Sequence, residues 1–423
     1  MELRMAVLML LQSRLHVLHA HTLAFIPPIF RGATRTPPIE PTSSISSAAL
    51  TEEEITSFLV GRHALVIAGQ DATIGLAVAE FLSDVGASVT LACKSPEKYQ
   101  KACNRLNAAA RLKRGPDSST GCELGNLDLS KEEEVWSFAE SYVERQQPLH
   151  LLVNCADDYS FRFRANSFGG EQTFSTNHLG PFLLSQLLLD QMYATMNRDA
   201  LLLAKEQRSR ERASQKVPTG DEARARRALQ EQAGMLPRPF PSPLGRMVSL
   251  GLPCRTLREP PQPLRALPFS RGNYTAWGGY RVSHQANTLS MLHLSNLARQ
   301  HRLPSGDHVE INVVHCGACR YLWQPVRSFF GVHRYAKLTI GFLASTPTTG
   351  VAGLFFKDCA SALPWGKVEE SASPRRALGS MYDASCRLSR APIMRWEQDL
   401  DAFRRARSAR APLAPAKIHS LKK

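Results

Sequence analysis

The chain has 423 residues, a formal net charge of +15 from 52 Lys and Arg against 37 Asp and Glu, and nine cysteines. This length can bury a large core and hold one large α/β domain with appendages. An odd number of scattered cysteines argues against a secreted disulfide framework. The basic runs lack interleaved aromatic residues, so nucleic-acid binding is not predicted. Cys316 and Cys319 have suggestive spacing, but no second ligand pair follows, so no metal site is predicted.

The N-terminal 38 residues contain a single acid, Glu2, and four arginines set among apolar residues. The apolar run Met5–Leu11 is too short to span a bilayer, which favours a targeting segment over an anchor. Residues 1–50 are therefore predicted to be a targeting segment and a disordered linker that direct the protein to a mitochondrion or plastid. A signal peptide for the secretory route is the alternative.

The first predicted strand, His63–Ala68, leads through a glycine turn into a helix at Ile74–Val85 with apolar residues along one side. A second strand at Ser88–Ala92 and a second helix at about Pro96–Lys113 follow. A strand, a tight turn and a helix N-terminus expose backbone N–H groups and align the helix dipole. This turn is therefore predicted to bind an anion.

The same alternation continues along the chain. The predicted strands are Glu123–Leu127, Leu149–Asn154, Arg246–Leu250, Val309–His315 and Ser380–Asp383, and the predicted helices are Lys131–Arg145, Glu171–Tyr193, Tyr280–Gln300 and Thr349–Ser361. Nearly continuous apolar strands that alternate with helices are typical of a parallel sheet covered on both faces. We predict one α/β domain over residues 51–400, a single doubly wound Rossmann-type sheet with helices on both faces.

A basic insert at about residues 197–242 interrupts this domain, and a basic disordered tail is predicted at 401–423. The first half of the insert has the composition of a charged helix, whereas its proline-rich end cannot be helical. Charge runs of this kind are usually solvated. A protein partner bound through the insert is the alternative. No transmembrane span is predicted in the mature domain.

Seven short motifs follow one another in a fixed order. They are Ala68–Gly75, Leu91–Lys94, Leu127–Leu129, Leu152–Ala156, Asn177–Gly180, Tyr280–Asn287 and His315–Gly317. Together they resemble the short-chain dehydrogenase/reductases, in particular the branch of the retinol dehydrogenases and the WW-domain-containing oxidoreductase. The resemblance implies a nicotinamide-dependent oxidoreductase, and homodimers are common among such relatives.

The resemblance also implies which residues bind the cofactor. They are Gly69, Thr73, Ile74, Gly75, Lys94, Asp128, Asn154, Ala156, Tyr280, His284 and Gly317. Thr73 replaces the family's middle glycine, so its side chain crowds the pyrophosphate. Lys94 stands where this branch has an arginine, which favours NADP(H) over NAD(H). Asp157 replaces a glycine and brings a charge beside the cofactor.

The implied catalytic residues are Tyr280, Asn177 and His284. Tyr280 exchanges a proton while hydride moves, and Asn177 anchors a water in the proton path. His284 replaces the family's lysine four residues after the tyrosine. A histidine is mostly neutral at pH 7, so its electrostatic support for Tyr280 is weaker.

The family's serine pair is replaced by Gly251 and Leu252. Ser249 lies two strand positions earlier, about 6.6 Å away, which is too far to bind the same substrate oxygen. We therefore predict an NADP(H)-dependent oxidoreductase with a degenerate catalytic set, acting on an alcohol or carbonyl of a small apolar substrate. The alternative is a catalytically inactive nucleotide-binding scaffold or regulatory protein.

Overall fold

The apolar runs predicted to be strands lie side by side in one sheet. The computed structural model describes residues 59–115, 120–166, 168, 170–215, 245–267, 269–303, 307–315, 340, 352–357, 360–370 and 372–391. The predicted targeting segment, the second half of the insert, Gly317 and the basic tail lie outside the described residues.

Ten strands occur in the described part of the chain. They are β1 (His63–Ile67), β2 (Ser88–Cys93), β3 (Gly121–Asn126), β4 (Leu151–Asn154), β5 (Arg246–Leu250), β6 (Cys254–Leu257), β7 (Glu310–His315), β8 (Phe355–Lys357), β9 (Ala360–Ala362) and β10 (Trp365–Val368). The main sheet has the order β3-β2-β1-β4-β5-β7-β8-β9. Its neighbours are parallel except β8 and β9. The strand order reverses between β1 and β4, which is where such sheets bind ligands at their carboxyl edge.

Eight α-helices surround the sheet in the described part of the chain. They are α1 (Thr73–Asp84), α2 (Gln100–Arg114), α3 (Glu132–Glu144), α4 (Gln172–Phe174), α5 (Gly180–Gln215), α6 (Gln262–Ala266), α7 (Ala276–Gln300) and α8 (Pro374–Ser389). A 3-10 turn at Pro96–Tyr99 precedes α2, and a π-helical turn at Ser175–Leu179 joins α4 to α5.

The helices cover both faces of the sheet because successive strand residues point to opposite sides. On β1, Val66 packs in one apolar cluster with Val78 of α1. Its neighbour Ile67 packs in another cluster with residues of α3, α5 and α7, such as Leu183. The predicted doubly wound Rossmann-type sheet is therefore confirmed.

The predicted helix at Thr349–Ser361 is wrong. Phe355–Lys357 form β8 and Ala360–Ala362 form β9. Phe355 pairs with Val313 of β7, so backbone hydrogen bonds to the edge of the sheet fix an extended conformation in this segment. Pairing with a distant strand overrides the local helical pattern.

The predicted strand at Ser380–Asp383 is also wrong, because these residues lie within α8. Pro374 occupies the first turn of this helix, where its missing N–H costs no hydrogen bond. Leu378, Met381 and Tyr382 are buried at helical spacing. The apolar pair Met381–Tyr382 is too short to distinguish a strand from a helix.

One further feature, a second small sheet, was not predicted. β6 and β10 pair in parallel as a separate two-stranded sheet, with Trp365 opposite Cys254. α5 also continues past Tyr193 to Gln215, so the first half of the basic insert is helical as its composition indicated. Of the helices in the described part of the chain, none combines the length and apolar character needed to cross a bilayer.

A buried ion pair joins β5 to β7 at their amino ends. Arg246 donates from Nε and Nη2 to Oε2 of Glu310 at 3.0 and 2.6 Å. Glu310→Gln leaves the guanidinium without its carboxylate, so we expect the free energy of unfolding to fall by about 3–5 kcal/mol. Urea unfolding measures this. Glu123→Gln, which breaks the exposed Arg145–Glu123 pair, is the control and should cost less than about 1 kcal/mol. Equal losses in both variants would contradict the expectation.

Candidate active site

The turn after β1 approaches other parts of the chain closely, which explains its glycines. A Cβ on Gly75 would lie 3.0 Å from Ala68 Cβ and 3.2 Å from a Leu91 methyl group. A Cβ on Gly69 would collide with the carboxylate of Asp158. Gly75 therefore lets α1 pack on the sheet, and Gly69 leaves room for an acceptor above the turn.

The chain itself supplies acceptors for three backbone amides of this turn. The N–H of Gln70 donates to Asp158 Oδ1 at 2.8 Å, and that of Ala72 donates to the Tyr99 hydroxyl at 2.9 Å. The N–H of Thr73 donates to Asp71 Oδ1 at 3.0 Å, and the Thr73 hydroxyl bonds the same oxygen. These are the amides that a phosphate would contact at a helix N-terminus.

Ile74 and Lys94 have different environments at this turn. Ile74 is buried in the apolar cluster beneath α1. Lys94, at the end of β2, keeps 40% of its side chain exposed and lies 2.9 Å from Asp128 Oδ2. The nearly buried Asp128 also accepts hydrogen bonds from the Ser130 N–H and hydroxyl. Burial alone would raise the pKa of Asp128, but these hydrogen bonds and Lys94 outweigh it and lower the pKa.

Asn154 fixes the carboxyl end of β4. Its Oδ1 accepts from the Ala156 N–H at 3.0 Å, and its Nδ2 donates to the Ser249 hydroxyl at 2.9 Å. Ser249 also accepts from Asn287 Nδ2 at 2.7 Å. Ser249 is therefore part of a buried network that joins β4, β5 and α7.

Asn177 holds the segment that follows β4. It lies in the π-helical turn that follows α4, and the side chain of the N-cap residue Glu171 accepts the N–H groups of Thr173 and Phe174 in α4. Asn177 Oδ1 accepts from the Asp158 N–H at 2.7 Å, and its Nδ2 donates to the Asp158 carbonyl at 2.8 Å. The same Nδ2 is 3.2 Å from the Ser283 hydroxyl. These bonds clamp the Asp158 backbone against α7.

Tyr280 and His284 meet at the carboxylate of Asp157. Thr275 caps the N-terminus of α7, and the spacing of four residues puts both rings on one side of this helix. The Tyr280 hydroxyl donates to Asp157 Oδ1 at 2.7 Å, and His284 Nε2 lies 3.4 Å from the same oxygen. The two ring centroids are 4.6 Å apart. A phenol, a carboxylate and an imidazole in contact can pass a proton along this line.

No hydroxyl fits at the place of the family's serine. A Cβ on Gly251 would collide with Thr288 Oγ1 and would lie 2.6 Å from Val313. Leu252, the second residue of the replaced pair, is buried. A serine at position 251 would therefore require the side chains of Thr288 and Val313 to shift.

Asp158 and Tyr99 are the site residues that the sequence did not identify. Burial raises the pKa of the Asp158 carboxyl to about 7; the Gln70 N–H lowers it, while the nearby Asp157 and Asp71 raise it. The sequence does contain one signal for Asp158, because the acidic pair Asp157 and Asp158 follows the buried strand β4 at the switch point. Its contact with a turn 88 residues earlier in the chain could not be read from the sequence.

Comparison with known proteins agrees with this geometry. The family model for short chain dehydrogenases matches residues 63–199. The chain is 32% identical over 155 residues to short-chain dehydrogenase TIC 32 B, chloroplastic, of Brassica napus, a match that covers 36% of this chain and 46% of the relative. It is 30% identical over 161 residues to mouse retinol dehydrogenase 12, covering 36% and 49%. The chain thus spans about half the length of these relatives.

A third relative and a solved structure extend the comparison. The zebrafish WW domain-containing oxidoreductase is 36% identical over 126 residues, which cover 30% of this chain and 29% of that protein. The crystal structure of an uncharacterised protein from Mycobacterium paratuberculosis superposes with a TM-score of 0.51 at 17% identity, covering 79% of this chain and 96% of that one, and shares the fold. On these matches, residues 63–199 of the chain are similar to the short-chain dehydrogenase/reductases, and the sheet has the fold of the solved structure.

Proposed function

We propose that this protein is an NADP(H)-dependent oxidoreductase that interconverts an alcohol and a carbonyl on an apolar substrate, with a weakened acid–base set. One observation supports this most strongly. The Tyr280 hydroxyl, the Asn177 amide and the Gly69 turn all meet the consecutive residues Asp157 and Asp158. The proton-transfer group and the anion-binding turn thus share one crevice at the carboxyl edge of the sheet.

We expect a nicotinamide dinucleotide to occupy this crevice once the Asp158 carboxylate turns away. The atom above Gly69 is the end of a rotatable side chain and not backbone. The Gln70 N–H and the dipole of α1 can then bind a phosphate. Lys94 is exposed enough to contact a 2′-phosphate, and Asn154 and Ala156 line the end of β4. When bound, the dinucleotide supplies or accepts the hydride.

We assign to Tyr280 the exchange of a proton with the substrate oxygen. In alcohol oxidation, Tyr280 Oη takes the proton of the substrate hydroxyl while its own proton passes to Asp157 Oδ1, 2.7 Å away. Carbonyl reduction reverses these transfers. His284 Nε2, 3.4 Å from the same Asp157 oxygen, helps to hold this carboxylate. Positioned proton transfer contributes about 10²–10⁴-fold, and with an anion instead of a lysine beside Tyr280 we expect only a part of it.

The surroundings of Tyr280 favour an apolar substrate. The ring of Trp277 stacks on Tyr280 at a centroid distance of 6.0 Å, and that of Tyr159 lies 5.6 Å away. Phe161 packs edge-on against Tyr159. All three rings are exposed, by 43%, 41% and 84% for Trp277, Tyr159 and Phe161. Exposed aromatic surface beside a polar group is typical of a small-molecule site.

A catalytically inactive nucleotide-binding scaffold or regulatory protein is the second candidate. Two observations favour it. The space of the family's serine is filled by Thr288 and Val313, and the Tyr280 proton is already committed to Asp157. A substrate oxygen would then lack one donor and would compete with a carboxylate for the other.

Removing the charge of Asp158 should strengthen cofactor binding. Above about pH 7 this carboxyl is ionised and repels a phosphate, so the wild-type affinity for NADPH should fall as the pH rises from 6 to 8. Asp158→Asn should bind NADPH at least about tenfold more tightly at pH 8 and show less of this pH dependence. Fluorescence titration of NADPH measures both effects.

Asp383→Asn is the control for this titration, because it removes an exposed carboxylate of α8. It should leave the affinity unchanged. No fluorescence change with either wild type or Asp158→Asn at tens of micromolar protein would exclude the cofactor from both candidate functions.

Replacing Tyr280 separates the two candidates. If the protein is an enzyme, Tyr280→Phe should lower kcat with NADPH and a panel of apolar aldehydes and retinoids by about 10–100-fold, at or below the lower end of the range for positioned proton transfer. The control is Tyr142→Phe, which changes a tyrosine of α3 and should retain the wild-type rate. Background rates in all three proteins would support the inactive candidate.

We also propose that residues 1–50 direct the protein to a mitochondrion or plastid. Their arginine-rich, acid-poor composition supports this, and the Brassica napus relative is named chloroplastic. A fluorescent protein fused after residue 50 should enter one of these organelles. Entry of the fusion into the secretory pathway would contradict the proposal.

A further inference from the structure

Four arginines surround a pocket on the side of α7 next to the candidate active site. The pocket has a volume of about 480 Å³ and is lined by Arg255, Thr256, Arg258, Gln262, Arg265 and Arg281. β6 and the residue after it, α6 and the first turns of α7 contribute these side chains. None of the described residues that line it is acidic.

The charge of this arginine pocket is only partly compensated. Arg258 pairs with Glu369 at 2.7 Å. Arg265 donates to the carbonyls of Pro260 and Glu259, which fix its guanidinium without neutralising it. In the described part of the chain, no ion pair involves Arg255 or Arg281. About three positive charges therefore remain at the pocket.

Arg281 supplies a second, independent observation. Its Nε is buried and has no hydrogen-bond acceptor among the described residues. A buried donor without an acceptor is unfavourable, and the Arg281 guanidinium can gain an acceptor when its side chain turns toward an anion in the pocket. The remaining like charges also repel each other, and a bound anion would reduce this repulsion. Both features point to a bound anion.

The arginine pocket is separate from the Tyr280 crevice. Tyr280 and His284 face Asp157. Gln285, one turn after Arg281 on the same side of α7, donates instead to the carbonyl of Pro253, in the link between β5 and β6. The two sites thus use different sides of one helix, and the pocket ligand need not be the substrate of the crevice.

We propose that the arginine pocket binds a small phosphorylated ligand. A phosphate group carries up to two negative charges and enough oxygens for several guanidinium groups, which bind it in a fork-like geometry. A single carboxylate would leave most of the charge uncompensated. The volume exceeds that of a phosphate ion and lies within the range of small-molecule sites, so there is room for the organic part of the ligand.

The test measures the binding of inorganic pyrophosphate to the full chain by calorimetry at constant ionic strength. Wild type should bind the probe saturably, and Arg255→Gln/Arg281→Gln should lose at least about tenfold in affinity. Arg105→Gln/Arg111→Gln removes the same charge from exposed positions of α2 and should bind like wild type. Arg281→Lys keeps the positive charge but loses the planar guanidinium group that makes two parallel hydrogen bonds to a phosphate. This variant should therefore bind with intermediate affinity.

Three results would overturn the proposal. The first is that wild type shows no saturable binding at millimolar pyrophosphate. The second is that the two double variants lose the same affinity. The third is that the Arg255→Gln/Arg281→Gln variant binds like wild type, which would place the anion elsewhere, for example at the Gly69 turn. Equal affinity for succinate would likewise overturn the assignment to phosphate. Thermal unfolding of each variant distinguishes lost binding from lost folding, and Arg281→Lys keeps the test valid if the double variant does not fold.

Discussion

The candidate site depends on two consecutive carboxylates at the end of β4. The backbone of Asp158 is clamped by Asn177, and its side chain accepts the amide of Gln70 in the turn after β1. Asp157 accepts the proton of Tyr280 on α7. Elements far apart in the sequence therefore contact one dipeptide, so its charge and position affect both the Gly69 turn and Tyr280.

The Asp158 carboxylate accepts the Gln70 amide at the Gly69 turn, where an external anion would otherwise bind. The N-terminus of α1 favours negative charge, and Asp158 supplies it in the absence of a ligand. Burial makes the ionised form costly, which is why the pKa of Asp158 rises to about 7. A dinucleotide must compete with this carboxylate for Gln70. The arginine pocket lies on another side of α7 and carries no such internal anion among its described lining residues.

The sequence predicts the regular parts of the fold because long apolar strands and amphipathic helices carry a strong periodic signal. It fails at β8 and β9, which have three residues each and owe their conformation to pairing with β7. The motif order predicts Tyr280, Asn177 and the Gly69 turn as site residues, and the structure brings all three into contact with Asp157 or Asp158. The sequence does not reveal that Lys94 pairs with Asp128 or that Asp158 reaches the turn, because such contacts depend on the direction of side chains after folding.

A crystal structure with NADPH at pH 6, where Asp158 is largely protonated, is the most direct measurement. We expect a phosphate oxygen on the Gln70 amide, the Asp158 carboxyl rotated away from Gly69, and the nicotinamide beside Tyr280. If the Asp158 carboxyl stays on Gln70 while NADPH binds elsewhere or not at all, the turn and Tyr280 do not form one dinucleotide site.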